Sequence, residues 1–156
     1  MPGYKGHLLF GTIIFLPAII LTQKMVGELP LFTTIISFLA ILLGSLFPDI
    51  DTTSKIQRIF YVISIPLILI TLILQQTTSF FIASTIILFV YILKHRTITH
   101  QLSFIIIIPG IFTLSIYYFY SITDSIFLYF YIFFTLGAIN HIILDKITSK
   151  IKMMYY

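Results

Sequence analysis

Six apolar runs, at roughly 8–22, 31–47, 59–74, 80–93, 102–120 and 126–144, divide the chain, with short polar segments between them. A helix crossing a bilayer needs about 20 mainly apolar residues, with a range of about 17–25. The second, fifth and sixth runs meet that length as they stand. Thr, Ser and Gln at the ends of the third and fourth extend those two. The apolar positions are continuous, not alternating as in the strands of a membrane barrel, so the pattern predicts helices. Pro17, Pro66 and Pro109 fall inside runs, which a membrane helix tolerates when a neighbouring helix shelters the freed carbonyl. The expected architecture is all-α: a polytopic membrane helical bundle of about six transmembrane helices, forming a single integral membrane domain over 1–156.

Composition narrows this further. Hydrophobic residues make up 59% of the chain and charged residues only 9%, against about 25% charged in a soluble domain. So little polar surface excludes a water-soluble fold and makes the lipid bilayer the first partner. The first run follows Lys5 and has the outline of a signal peptide. Thr22, Gln23 and Lys24 follow it where a small-residue cleavage site would stand, so a retained first helix is expected.

Charge then sets the topology. Six spans put the N-terminus, loops 48–58 and 94–101 and the C-terminal tail on one side. That side carries Lys5, Lys55, Arg58, Lys94, Arg96, Lys146, Lys150 and Lys152, and the other side carries only Lys24. Basic residues concentrate in cytoplasmic loops. Both termini are therefore expected in the cytoplasm, in a multi-pass protein of the cell (inner) membrane.

The same partition gathers the chemistry. All four histidines, His7, His95, His100 and His141, fall on the cytoplasmic side with Asp49, Asp51 and Asp145, while Glu28 and Asp124 fall opposite. Ionisable groups at membrane depth are costly and usually face a bundle interior or a cavity where they have a task. With no cysteine in the chain, any metal must be held by nitrogen and oxygen. His141 and Asp145 are i and i+4, on one helix face, able to chelate an ion or to act as ligand and orienting partner; a helix-end ion pair is the plainer alternative. Asp49 and Asp51 follow Pro48 on an expected bend, where two close carboxylates favour a cation between them, supplied by a metal or by Lys55 and Arg58. His95 and His100 are five apart, about 140° around a helix, so a shared ion requires a turn between them. Thr99 is a suitable N-cap for the fifth helix, which places His100 in its first turn. Arg96 is either a stabiliser of an anion or a positive-inside anchor. His7 alone reads as an interfacial histidine or as a ligand. Gly11, Gly44 and Gly137 each stand about one turn inward from a polar motif, where small residues let membrane helices approach closely.

Four motifs carry a resemblance: Gly6-His7-Leu8, Gly44-Ser45-Leu46-Phe47-Pro48-Asp49-Ile50-Asp51, His95-Arg96-Thr97-Ile98-Thr99-His100 and Asn140-His141-Ile142-Ile143-Leu144-Asp145. In this order, over nearly the whole chain, they resemble the YdjM-type family of inner-membrane proteins. Those proteins are described as membrane-bound metal-dependent hydrolases, with one branch described as LexA-binding. Thr97 stands where family members often have Gly, and Gln101 where they have Ser. The resemblance implies a metal-dependent hydrolase and the possibility of a cytoplasmic protein partner.

The metal ligands expected from these readings are His7, Asp49, Asp51, His95, His100, His141 and Asp145. Imidazoles with carboxylates suit a divalent transition metal, Zn²⁺ or else Mn²⁺ or Fe²⁺, as one ion or two. Asp49 or Asp51 would bridge two ions or accept a proton, and Arg96 would stabilise the developing anion. A phosphoester or lipid head group is the expected substrate class, and no direct nucleic-acid binding is expected. Two other functions compete: a non-catalytic, metal-stabilised membrane adaptor or regulator, and an ion transporter. A transporter needs polar residues through the membrane, and beyond their cytoplasmic ends these runs hold mainly scattered Ser and Thr.

Overall fold

A computed structural model describes residues 3–51, 55–92, 100–120 and 125–154. It contains six α-helices: α1 (Tyr4–Val26), α2 (Leu31–Leu46), α3 (Lys55–Ile73), α4 (Thr77–Ile92), α5 (Leu102–Tyr120) and α6 (Ile126–Met154). There is no strand among the described residues. The six apolar runs thus become six helices, and the all-α reading holds.

Where helix and run differ, the flanking polar residues explain it. Lys55 to Arg58 add a turn before the third run, and Thr77 and Thr78 add one before the fourth. The largest difference is at the C-terminus, where α6 continues past Asp145 to Met154. Four segments, Tyr4–Val26, Leu31–Ile50, Lys55–Ile73 and Ile126–Ile151, are long and apolar enough to cross a membrane. The 16 residues of α4 reach about 24 Å, short of the hydrocarbon thickness of about 30 Å.

The helices form two compact units, 1–48 with 100–156 and 49–99. In the first, α2 packs mainly against α6, with α1 and α5 alongside. Two apolar clusters fill it: Phe15, Ile19, Ala40, Ile41 and Phe133 in one, Ile105, Ala138 and Ile142 in the other. The α2–α6 contact is possible because two side chains are missing. A Cβ on Gly44 would collide with the Phe134 carbonyl, and one on Gly137 with the Ile41 carbonyl. Both obstacles are backbone and cannot swing aside. A Cβ on Gly11 would come within 2.5 Å of Ser45 Oγ, so α1 closes on the same place. The three glycines singled out in the sequence are three at which a Cβ would collide with another helix.

Pro109 removes the N–H that would meet the Ile105 carbonyl of α5. Tyr131 of α6 donates a hydrogen bond to the adjacent Ile106 carbonyl at 3.3 Å.

The second unit is the hairpin α3–α4. Helix α3 closes with the Gln76 N–H on the Thr71 carbonyl and the Gln75 N–H on the Leu72 carbonyl. That closure needs a left-handed residue, supplied here by Gln75 at φ 54° in place of the usual glycine. No described residue of α3 is buried.

Candidate metal centre

His7 lies in the second turn of α1, His141 and Asp145 on α6, and His100 two residues ahead of α5. Asp145 is the twentieth residue of α6, about 30 Å along it, which is the thickness of a hydrocarbon core. The carboxylate therefore sits where the apolar part of α6 ends. The start of α1, the end of α2 and the entry to α5 meet it there.

Asp145 is the hub. Its Oδ1 lies 3.4 Å from His7 Nε2. Its Oδ2 lies 3.6 Å from His141 Nε2 and 3.8 Å from His100 Nε2. The His7 and His141 rings stack with centroids 3.7 Å apart and planes 13° from parallel. His100 meets His141 edge-on at 5.5 Å. His7, His141 and Asp145 each offer a ligand atom within 4.8 Å of the others, and all three are buried.

These distances have a chemical meaning. They exceed the 2.7–3.2 Å or so of a nitrogen–oxygen hydrogen bond. Two ligand atoms bound tetrahedrally to one ion at about 2.0–2.1 Å are separated by about 3.3–3.4 Å. The His7–Asp145 and His141–Asp145 separations fall close to that value. Asp145 Oδ1 accepts no hydrogen bond among the described residues. A buried carboxylate is costly without a compensating cation, and a divalent ion among these imidazoles would compensate it. The donor set fits a metal.

One hydrogen bond fixes how His141 presents itself. Its Nδ1 is 2.7 Å from the Ser45 carbonyl. A carbonyl only accepts, so Nδ1 carries a proton, and in the neutral ring the lone pair is then on Nε2, toward Asp145. Metal-bound histidines commonly have such an outer partner, which holds the ring and its tautomer. The Ser45 carbonyl is available because α2 ends there. Residues Phe47–Asp51 tighten into a 3-10 turn, in which the partner of the Ser45 carbonyl would be residue 48, and Pro48 has no N–H. Ser45 escaped the sequence reading because its role is played by backbone; the available signal was a proline three residues later.

The other expected site residues fall as follows. Asp49 and Asp51 lie in the 3-10 turn after α2, the bend expected there, and they open the second unit. Phe47 nevertheless stays helical at φ −58°, ψ −42°, against the usual preference before proline. Its ring is held at 5.1 Å from Phe134 and 6.3 Å from Phe104, and this packing overrides the local preference. His100 precedes α5 instead of occupying its first turn, since the Gln101 carbonyl accepts the first helical bond, from the Ile105 N–H. His95 and Arg96, with Thr99, lie outside the described residues.

Comparison with curated proteins and with solved structures returned no match for either. Among protein families, the YdjM inner membrane protein family matches residues 1–155. A match over that length, with the apolar helices described above, makes this a multi-pass inner membrane protein. The chain belongs to the YdjM inner membrane protein family.

Proposed function

We propose that the protein is a membrane-bound, metal-dependent hydrolase acting on a phosphoester, most directly that of a lipid head group at the bilayer edge. The observation that carries the proposal is the set of ligand-like separations between His7, His141 and Asp145. Three protein ligands of nitrogen and oxygen type are the usual complement of a catalytic zinc, which keeps a further position open; Mn²⁺ and Fe²⁺ suit the same donors.

A bound divalent ion would polarise a phosphoryl oxygen and make an attacking water acidic near neutral pH. The protein's part is positioning. His141 is held in one tautomer by the Ser45 carbonyl, His7 is fixed by stacking on His141, and Asp145 is set by a helix anchored through Gly137. Burial keeps these groups in a medium where each charge acts strongly. The sequence pattern adds Asp49 and Asp51 as proton acceptors or further ligands, His95 as a further ligand and Arg96 as the cation facing the developing anion.

A second reading, a non-catalytic adaptor stabilised by metal and binding a cytoplasmic partner, is favoured by one feature: the ligands join the first and last helices, so an ion would also brace the bundle. The transporter reading is weakened by the apolar cluster of Phe15, Ile19, Ala40, Ile41 and Phe133 beneath the site. Metal analysis of the detergent-purified protein, with a hydrolase screen on phosphatidic acid and on a phosphodiester in mixed micelles, separates the readings. Turnover that is lost in His141→Ala together with the metal supports the hydrolase. Bound metal with no turnover on any ester supports the adaptor.

A further inference from the structure

His100 differs from the other three members of the cluster in exposure, in distance from Asp145 and in its place relative to the helices. His7, His141 and Asp145 sit within helices whose backbones are hydrogen-bonded. His100 sits two residues ahead of α5, whose first helical bond runs from the Ile105 N–H to the Gln101 carbonyl. The side chains of His7 and His141 are 1% and 0% exposed and that of Asp145 is 9% exposed, but that of His100 is 20% exposed. Its 3.8 Å separation from Asp145 is the longest of the three. It meets His141 edge-on, whereas His7 is stacked on it.

These differences matter because coordination number decides what a zinc-type site does. Four protein ligands close a site and make it structural; three with an open position make it catalytic. Three buried residues already suffice to hold an ion here. A fourth imidazole at the exposed edge can close the set or, by turning its side chain outward, leave it.

Building on the metal reading above, we propose that His100 is the exchangeable ligand of this site: it completes the set when no substrate is present and yields its place to an oxygen of an incoming phosphate group. Entry to the site then passes His100, the most exposed of its four members. The closed form protects the ion from loss, and the open form exposes it only when a competing oxygen arrives.

The test uses the full chain in detergent with Co²⁺ as a visible probe. His100→Ala should raise the Co²⁺ dissociation constant by no more than about tenfold, while His141→Ala should raise it on the order of 100-fold or more. The His100→Ala spectrum should change in shape, and added imidazole should restore the wild-type spectrum by entering the vacated place. Imidazole should not restore His141→Ala, whose place is sealed from solvent. His100→Gln provides a second variant for folding and should show the same modest loss. Loss of Co²⁺ in both His100 variants as severe as in His141→Ala would overturn exchangeability and make the site a closed structural one. An unchanged spectrum in both would show that His100 is no ligand. A wild-type protein giving no Co²⁺ band would instead overturn the metal reading itself.

Discussion

The α3–α4 hairpin and the four helices of the first unit are built from the same apolar alphabet, yet they use it differently. No described residue of α3 is buried, and Ile63, Leu67 and Leu69 are more than half exposed. In the first unit, Ala40, Ile41, Ile105 and Ala138 are wholly enclosed, together with Ser37, Ser45 and His141. All seven glycines of the chain lie outside 49–99. Lipid is as apolar as leucine, so hydrophobicity alone gives membrane helices no reason to pack. Close backbone approach and buried polar groups provide the reason, and only the first unit has the glycines that permit that approach.

The sharpest way to break this contrast is Gly137→Leu. Its side chain would have to displace the Ile41 carbonyl and the Ser45 N–H, so α2 and α6 must part. Overpacking of this kind costs about 1–3 kcal/mol or more. The melting temperature in detergent should fall steeply and metal binding should be lost, because the Ser45 carbonyl leaves His141. A melting temperature within a degree or two of wild type would show that the crossing is not tight.

Pro48→Ala tests the site with a smaller change, the loss of one buried ring. It adds an N–H able to compete for the Ser45 carbonyl, and weakening such an outer contact should reduce metal affinity by about 10–100-fold with helix content unchanged. Unaltered affinity would mean that the Ser45–His141 bond does not tune the ligand.

At the far end of the scale, Ile63→Ala and Leu69→Ala in α3 should change stability by no more than about 0.5 kcal/mol, the usual limit for exposed positions. A loss of 2 kcal/mol or more at either would show that α3 is covered by something other than lipid. Glu28→Ala should likewise leave bound metal at the wild-type level, since the charge partition places it on the opposite membrane face. Metal loss equal to that in Asp145→Ala would mean the faces are misassigned.

Much of this was legible in the sequence because lipid simplifies the problem. Continuous apolar runs can hardly be anything but helices, and polar residues interrupting them stand out. His141 and Asp145 could be paired from their i, i+4 spacing alone, and Gly11, Gly44 and Gly137 could be singled out as approach points. His7 could be grouped with them only by membrane side, because contact between the first and last helices depends on tertiary packing. Ser45 was missed because a backbone carbonyl leaves no mark in side-chain chemistry. The entry to α5 was placed too early, since Thr99 suits a cap as well as any residue there and nothing local decides between neighbouring starts. The cytoplasmic assignment of this face rests on the basic residues, and reporter fusions at 75–79 and 94–101 check it: the first should report the exterior and the second the cytoplasm.

The central claim is that residues from opposite ends of the chain share one ion, and metal-dependent melting of wild type against His7→Ala measures it most directly. An ion bound only by the folded state raises stability by mass action. Chelation should therefore lower the wild-type melting temperature in detergent, and Zn²⁺ or Mn²⁺ should restore it. In His7→Ala that metal-dependent rise should largely vanish, as it should in His141→Ala. A full rise in His7→Ala would contradict the account, because α1 would then contribute nothing to the site.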